Sequence, residues 1–301
     1  MRERSGVALG LAAYLLWGLF PLYFRLLESS GPFEIVAHRA LWSLAFCSVG
    51  LTVLSRWDQV RAAARDRRGT AMLAAGGLLV AVNWTLYVWG VNTHRTLDAA
   101  LGYYINPLLT ALLGVLLLGE RLRAAQWIAF ALGGAAVAVL VVAYGEVPVV
   151  ALGVATSFAL YGLIKNRAGR SVPALPGLAL ETAAIAPLAL AFLAWLEWRG
   201  ADTVELFSPY GLLVAASGVV TAVPLLLFAA AAARIPLVMI GMIQYLTPTL
   251  QFLVGWLLFQ EPMPPERWAG FLLVWLAVTV FAVDGARHHR RPRLADRAPA
   301  R

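Results

Sequence analysis

"YYINPLLTALLGVLLLGE" (residues 103–120) and "QYLTPTLQFLVGWLLFQE" (residues 244–261) are two versions of one pattern. An ungapped offset of 141 places Tyr104 on Tyr245, Pro107 on Pro248, Gly114 on Gly255 and Glu120 on Glu261, and beyond them Trp127 on Trp268. Leu-rich segments match one another by composition alone. Tyrosine, proline, glycine, glutamate and tryptophan matching at one offset do not, so the pattern predicts a duplicated chain.

The surrounding sequence says what kind of chain is duplicated. Of 301 residues, 61% are hydrophobic and 13% charged, with a mean hydropathy of +0.75. Soluble domains carry about 45–50% apolar and about 25% charged residues, so a polytopic membrane protein is expected. About 20 apolar residues cross the roughly 30 Å of hydrocarbon. Ten such runs are present, at 7–27, 33–54, 71–91, 97–118, 125–145, 147–164, 175–196, 208–233, 235–259 and 268–286. The first follows Arg2 and Arg4 as a signal peptide would, but it continues through Pro21 to Arg25 without a small-residue cleavage pattern and reads as a span. Residues 55–70 are basic and read as an interfacial helix.

With the N-terminus inside, nineteen of the 24 Lys and Arg residues fall on the inner side. The outer ends keep Arg25, Arg95, Arg199 and Arg267, and Arg39 lies within a span. That asymmetry predicts both termini in the cytoplasm. It also accounts for the net charge of +8 without a basic folded face, so nucleic acid is not an expected partner. The tail "ARHHRRPRLADRAPAR" reads as a basic, disordered cytoplasmic segment able to touch anionic membrane lipid.

The repeated runs are spans four and nine, so they cross in opposite directions, Glu120 ending inside and Glu261 outside. The expected fold class is therefore an all-α polytopic membrane protein of ten transmembrane helices in an inverted 5+5 repeat. Residues 1–145 form the first five-helix repeat, 146–286 the second and 287–301 the tail. Positions i, i+4, i+7 and i+11 share a helix face. In span four these are Tyr103, Pro107, Thr110 and Gly114; in span nine, Gln244, Pro248, Gln251 and Gly255. Each face mixes polar groups with a proline that kinks the helix and a small residue that lets helices approach.

Ionisable groups at membrane depth are costly and face a bundle interior or water. Span two holds Glu34 and His38 one turn apart, then Arg39. Histidine can change charge near neutral pH, so His38 is a candidate proton or solute group, or Glu34 and His38 pair and pin the span mouth. Span seven holds Glu181 about two turns in, a candidate for proton exchange unless a cation such as Arg39 pairs with it. Asp98 opens span four and reads as an N-terminal cap. Asn83 and Tyr87 with Trp84 beside them in span three, Tyr161 in span six, and Tyr103, Tyr104, Asn106, Gln244, Tyr245 and Gln251 complete the candidate lining. Aromatic and amide groups together suit an amphipathic organic solute better than a bare cation. Trp57, Trp127, Trp195, Trp198 and Trp268 read as interfacial anchors. Cys47 reads as packing.

No paired nucleophile and base, no metal-ligand spacing and no Gly-rich phosphate loop is legible, so neither an enzyme, a metal nor a cofactor is expected, and direct ATP drive is not. The stretches "AYLLWGLFPLYFRLLESSGPFEIVAHRALWS", "LGYYINPLL" with "GERL", "QYLTPTLQFL" and "FAVD" resemble the RarD branch of the EamA transporters in the drug/metabolite transporter superfamily. The resemblance runs from about Ala13 to Asp284, with "EIVAHR" and "YYINP" its most specific parts. It implies a bacterial inner-membrane permease with an inverted five-span repeat, moving small organic solutes (metabolites, amino acids or drugs) outward by secondary transport. Glu34, His38, Arg39, Tyr103, Tyr104, Asn106, Pro107, Gln244, Tyr245 and Pro248 carry over as motif positions only. The expectation is alternating access around a mid-membrane cavity, with His38 and Glu181 coupling protons and spans five and ten packing outside or forming a homodimer contact. A membrane scaffold or sensor that moves nothing is the alternative.

Overall fold

Without water in the hydrocarbon core, each backbone N–H and C=O needs a partner in its own segment, and helices supply it. The computed structural model describes residues 2–118, 122–145, 147–168, 172–205, 207–232, 234–235, 239–240 and 243–295, and the regular structure among them is helical. The helices are α1 (Arg2–Gly18), α2 (Phe20–Arg25), α3 (Pro32–Val53), α4 (Trp57–Arg65), α5 (Arg67–Asn92), α6 (Thr96–Leu118), α7 (Ala124–Tyr144) and α8 (Val149–Ala168). They continue with α9 (Ala174–Trp198), α10 (Pro209–Ala232), α11 (Leu246–Leu253), extended by a π-helical turn Val254–Leu258, and α12 (Pro265–Ala295).

Among the described residues, eight helices are long and apolar enough to cross a membrane. Two of the expected spans are shorter apolar helices, Val149–Ile164 and Leu246–Leu258. The basic segment near residue 60 forms α4, which buries nothing and carries its charges on one side, as an interfacial helix would.

Prolines divide the spans. Pro21 lies in the first turn of α2, where its missing N–H costs nothing, and the chain breaks at Leu19 between α1 and α2. Pro107 lies inside α6, leaving the Tyr103 carbonyl without its usual helical partner. Pro248, expected as a matching kink, instead lies in the first turn of α11 after a turn at residues 244–245. Span nine is broken rather than bent there.

The helices interlock in a regular set. α3 packs on α9, α7 on α12 and α6 on α11. α5 packs on α8 as α1 does on α10, α6 on α8 as α1 on α11, and α5 on α9 as α3 on α10. Three of these crossings are set by glycines against backbone: a Cβ on Gly102 of α6 would overlap the Ala151 carbonyl in α8, and two more are related by the offset of 141. A Cβ on Gly77 of α5 would overlap the Glu181 carbonyl in α9, and a Cβ on Gly218 of α10 would overlap the Trp42 carbonyl in α3. The apolar part of α12, Pro265–Gly285, is tied at both ends: the Arg267 guanidinium meets Asp98 at 2.9 Å, and Arg123 Nε donates to Asp284 at 2.7 Å. The α12 backbone stays helical through Ala295, well into the segment expected to be disordered.

Candidate functional site

α3 begins at Pro32, so Arg39 lies two turns in, where the helix faces α2, α5 and α10. The side chain is 3% exposed. Its Nε donates to Thr221 Oγ1 of α10 at 2.7 Å. The guanidinium carbon lies 4.0 Å from the Trp84 ring centroid, 5.0 Å from Phe24 and 5.6 Å from Phe20. An arginine at mid-membrane costs at least about 2.5 kcal/mol, and a desolvated cation–π contact returns about 2 kcal/mol. The aromatic box therefore makes the buried cation tolerable without an acid. Among the described residues no ion pair joins Arg39 to Glu181 or to any other carboxylate, so that expected pairing is not made. Arg39 Nη1 has no hydrogen-bond partner, and neither has the buried hydroxyl of Tyr87 on α5.

From this box a run of rings crosses the bundle. Phe24 meets Tyr87 at 6.0 Å, Tyr87 meets Tyr103 at 5.9 Å, Tyr103 meets Phe158 at 5.9 Å and Phe158 meets Tyr161 at 5.9 Å. At the far end the Tyr161 hydroxyl donates to Glu181 Oε2 at 3.1 Å. Glu181 is fully buried where Gly77 lets α5 press on α9. The offset of 141 carries Phe20 onto Tyr161 and Ala40, the neighbour of Arg39, onto Glu181. Corresponding places thus hold a cation against a ring and an anion against a phenol.

Other polar residues expected in the lining act as struts. Asn83 Nδ2 donates to the Val154 carbonyl at 3.0 Å and to Ser157 Oγ at 3.1 Å, and its Oδ1 accepts from the Tyr103 hydroxyl at 3.3 Å. Asn106 Nδ2 donates to the Ala155 carbonyl at 3.1 Å. Gln251 Nε2 donates to the Trp17 carbonyl at 3.2 Å, the group that Pro21 four residues on deprives of its helical partner. Glu34 does not clamp His38: its two oxygens accept from the Thr203 amide and hydroxyl, each at 2.8 Å. His38 is buried one turn further along α3.

Tyr104 and Tyr245, paired by the repeat, stack at 6.5 Å with their planes 17° apart. Tyr104 also bonds Thr249 at 2.8 Å, and with Trp275 and Thr249 the pair lines an apolar cleft of about 460 Å³. Gln244 lies in the turn before α11, half-buried beside Tyr245. Glu261, at the end of the second stretch, bonds the start of a distant helix. Its carboxylate accepts from the Thr96 and Leu97 amides at 2.7 and 2.9 Å, capping α6 from a distant part of the chain. Asp98 lies in the first turn of α6, as expected, and also pairs with Arg267. Glu120 lies outside the described residues.

Sequence reasoning missed Thr221, Phe20 and Phe24 around Arg39, and Thr203 opposite Glu34. Only Phe20 carried a signal, its match to Tyr161 at the repeat offset.

The comparisons agree with this architecture. The model of the EamA-like transporter family matches twice, at residues 4–142 and 147–283. Protein RarD of Streptomyces exfoliatus is 46% identical over 295 residues, covering 97% of this chain and 92% of that one. An uncharacterized transporter of Pseudomonas aeruginosa is 45% identical over 292 residues, covering 96% of each. A crystal structure with 21% identity superposes with a TM-score of 0.60 over 93% of this chain and 98% of the other, a likeness of fold alone. The chain belongs to the RarD branch of the EamA-like transporter family.

Proposed function

We propose that this protein is a secondary permease that exports small organic solutes by alternating access, its two five-span halves forming an inverted repeat around the Arg39–Tyr103–Glu181 region. One observation carries the reading. The tight crossings at Gly77 and Gly218 are related by the repeat offset of 141, and one half's contacts with the other recur in exchanged form. Two like halves that pack on each other reciprocally can exchange which side of the bundle is closed. Buried polar groups with unsatisfied bonds at their junction give a solute something to bind in one arrangement more than another, and that differential affinity shifts the equilibrium. Glu181 carries the proton that couples the cycle to a gradient, His38 assists from α3, and both termini face the cytoplasm. The lipid-facing surfaces of α7 and α12, where Trp127 and Leu272 are exposed, serve as the outer wall or a homodimer contact.

Solute exchange in proteoliposomes tests the reading. The full chain, reconstituted and loaded with unlabelled solute, is assayed for counterflow of labelled amino acids, aromatic acids and neutral amphiphiles. Saturable counterflow of at least one is expected. Folded protein that exchanges nothing across a broad panel overturns the carrier reading in favour of a scaffold or sensor.

A further inference from the structure

Resting on the carrier reading, we propose that the cargo is a monoanionic organic solute whose carboxylate binds between Arg39 Nη1 and the Tyr87 hydroxyl. Three observations lead there. Arg39 is a fully desolvated cation without a carboxylate partner among the described residues, and its Nη1 points at no acceptor. Tyr87, 2% exposed, leaves its hydroxyl equally unused. Both donors flank one ring: Phe24 lies 5.0 Å from the Arg39 guanidinium carbon and 6.0 Å from the Tyr87 ring. Buried donors are ordinarily satisfied, and an unmade bond to a charged group is the most costly kind, so two such donors beside one ring mark a place for an absent acceptor.

Charge and shape narrow the class. One guanidinium balances one negative charge; a phosphate monoester would bring a second into a box that, among the described residues, offers no second cation. A carboxylate has two oxygens for two donors, and its bond to guanidinium is charge-assisted. Trp84, Phe24 and Tyr87 offer flat apolar walls to the rest of the solute. The Nε of the same guanidinium is held by Thr221 of α10, a helix of the other half. A bound carboxylate therefore joins α3 and α5 to the contact that must change when the halves rock.

Purified full-length protein in detergent is titrated with monocarboxylates of aromatic body (4-hydroxybenzoate, 3-phenylpropanoate, N-acetylphenylalanine), with their primary amides and with phenyl phosphate, and the thermal unfolding midpoint is followed. At least one carboxylate raises the midpoint saturably, while its amide and the phosphate do not. Arg39→Gln weakens that binding at least about tenfold and Tyr87→Phe about threefold or more. Arg39→Lys, which keeps the charge but loses the fork, falls between. Tyr87→Phe keeps the test open should Arg39→Gln fail to fold. Acid and amide acting alike, binding that survives in Arg39→Gln, or no response to any carboxylate overturns the inference. The carrier reading fails separately. Counterflow of neutral solutes unaffected by Arg39→Gln leaves it standing and removes the carboxylate, whereas carboxylates that bind but never cross the liposome membrane remove the carrier and keep the site.

Discussion

Gly77 and Gly218 stand 141 positions apart, and each is where its helix presses closest on a partner: Gly77 against the Glu181 carbonyl, Gly218 against that of Trp42. Backbone on the far side cannot yield as a side-chain tip does. Gly77→Ala and Gly218→Ala should each cost roughly 1–3 kcal/mol, the usual range for overpacking. Thermal unfolding of the detergent-solubilised variants checks this, and wild-type midpoints in both would show that the crossings are slack.

Glu261 ends its repeat and caps a helix that begins 165 residues earlier. Glu261→Gln keeps the size and removes the charge that favours the positive end of α6. The expected loss is about 1 kcal/mol, and Glu261→Ala should lose about 2 kcal/mol by stripping both amides of their acceptor. Denaturant titration separates the two.

Gln251 and Pro21 are coupled through the Trp17 carbonyl, which one covers and the other leaves bare. Gln251→Leu should destabilise wild type by about 1 kcal/mol. In a Pro21→Ala background α1 can run on, and the backbone N–H restored at that position can reach the carbonyl. The same Gln251→Leu change should then cost much less. Equal costs in both backgrounds would separate the two residues.

Much of this architecture is legible in the amino-acid sequence alone. The duplication, the hydrophobic runs and the buried positions of Arg39 and Glu181 follow from periodicity and offset. Periodicity says which residues share a face; it does not say which helix faces them. Arg39 therefore invites an ion pair with Glu181 on paper, whereas aromatic rings from α2 and α5 stabilise it in the fold. Asn83, Asn106 and Gln251 look alike as buried polar groups, yet their amides bond carbonyls of distant helices, and spacing carries no trace of those partners. Glu261 escapes notice for the same reason: Asp98 keeps its place in the first turn of α6, but the carboxylate that bonds the free amides there is brought in by folding. Pro248 matches Pro107 in sequence but not in structure, because the turn just before α11 restarts the helix.

Gradient-driven accumulation tests most directly whether transport is coupled through Glu181. Proteoliposomes holding wild type or Glu181→Gln are given a pH gradient, and uptake of a solute that shows counterflow is followed. Wild type should concentrate the solute against its own gradient, while Glu181→Gln should insert and exchange solute yet fail to concentrate it. Accumulation by Glu181→Gln equal to wild type would contradict the account.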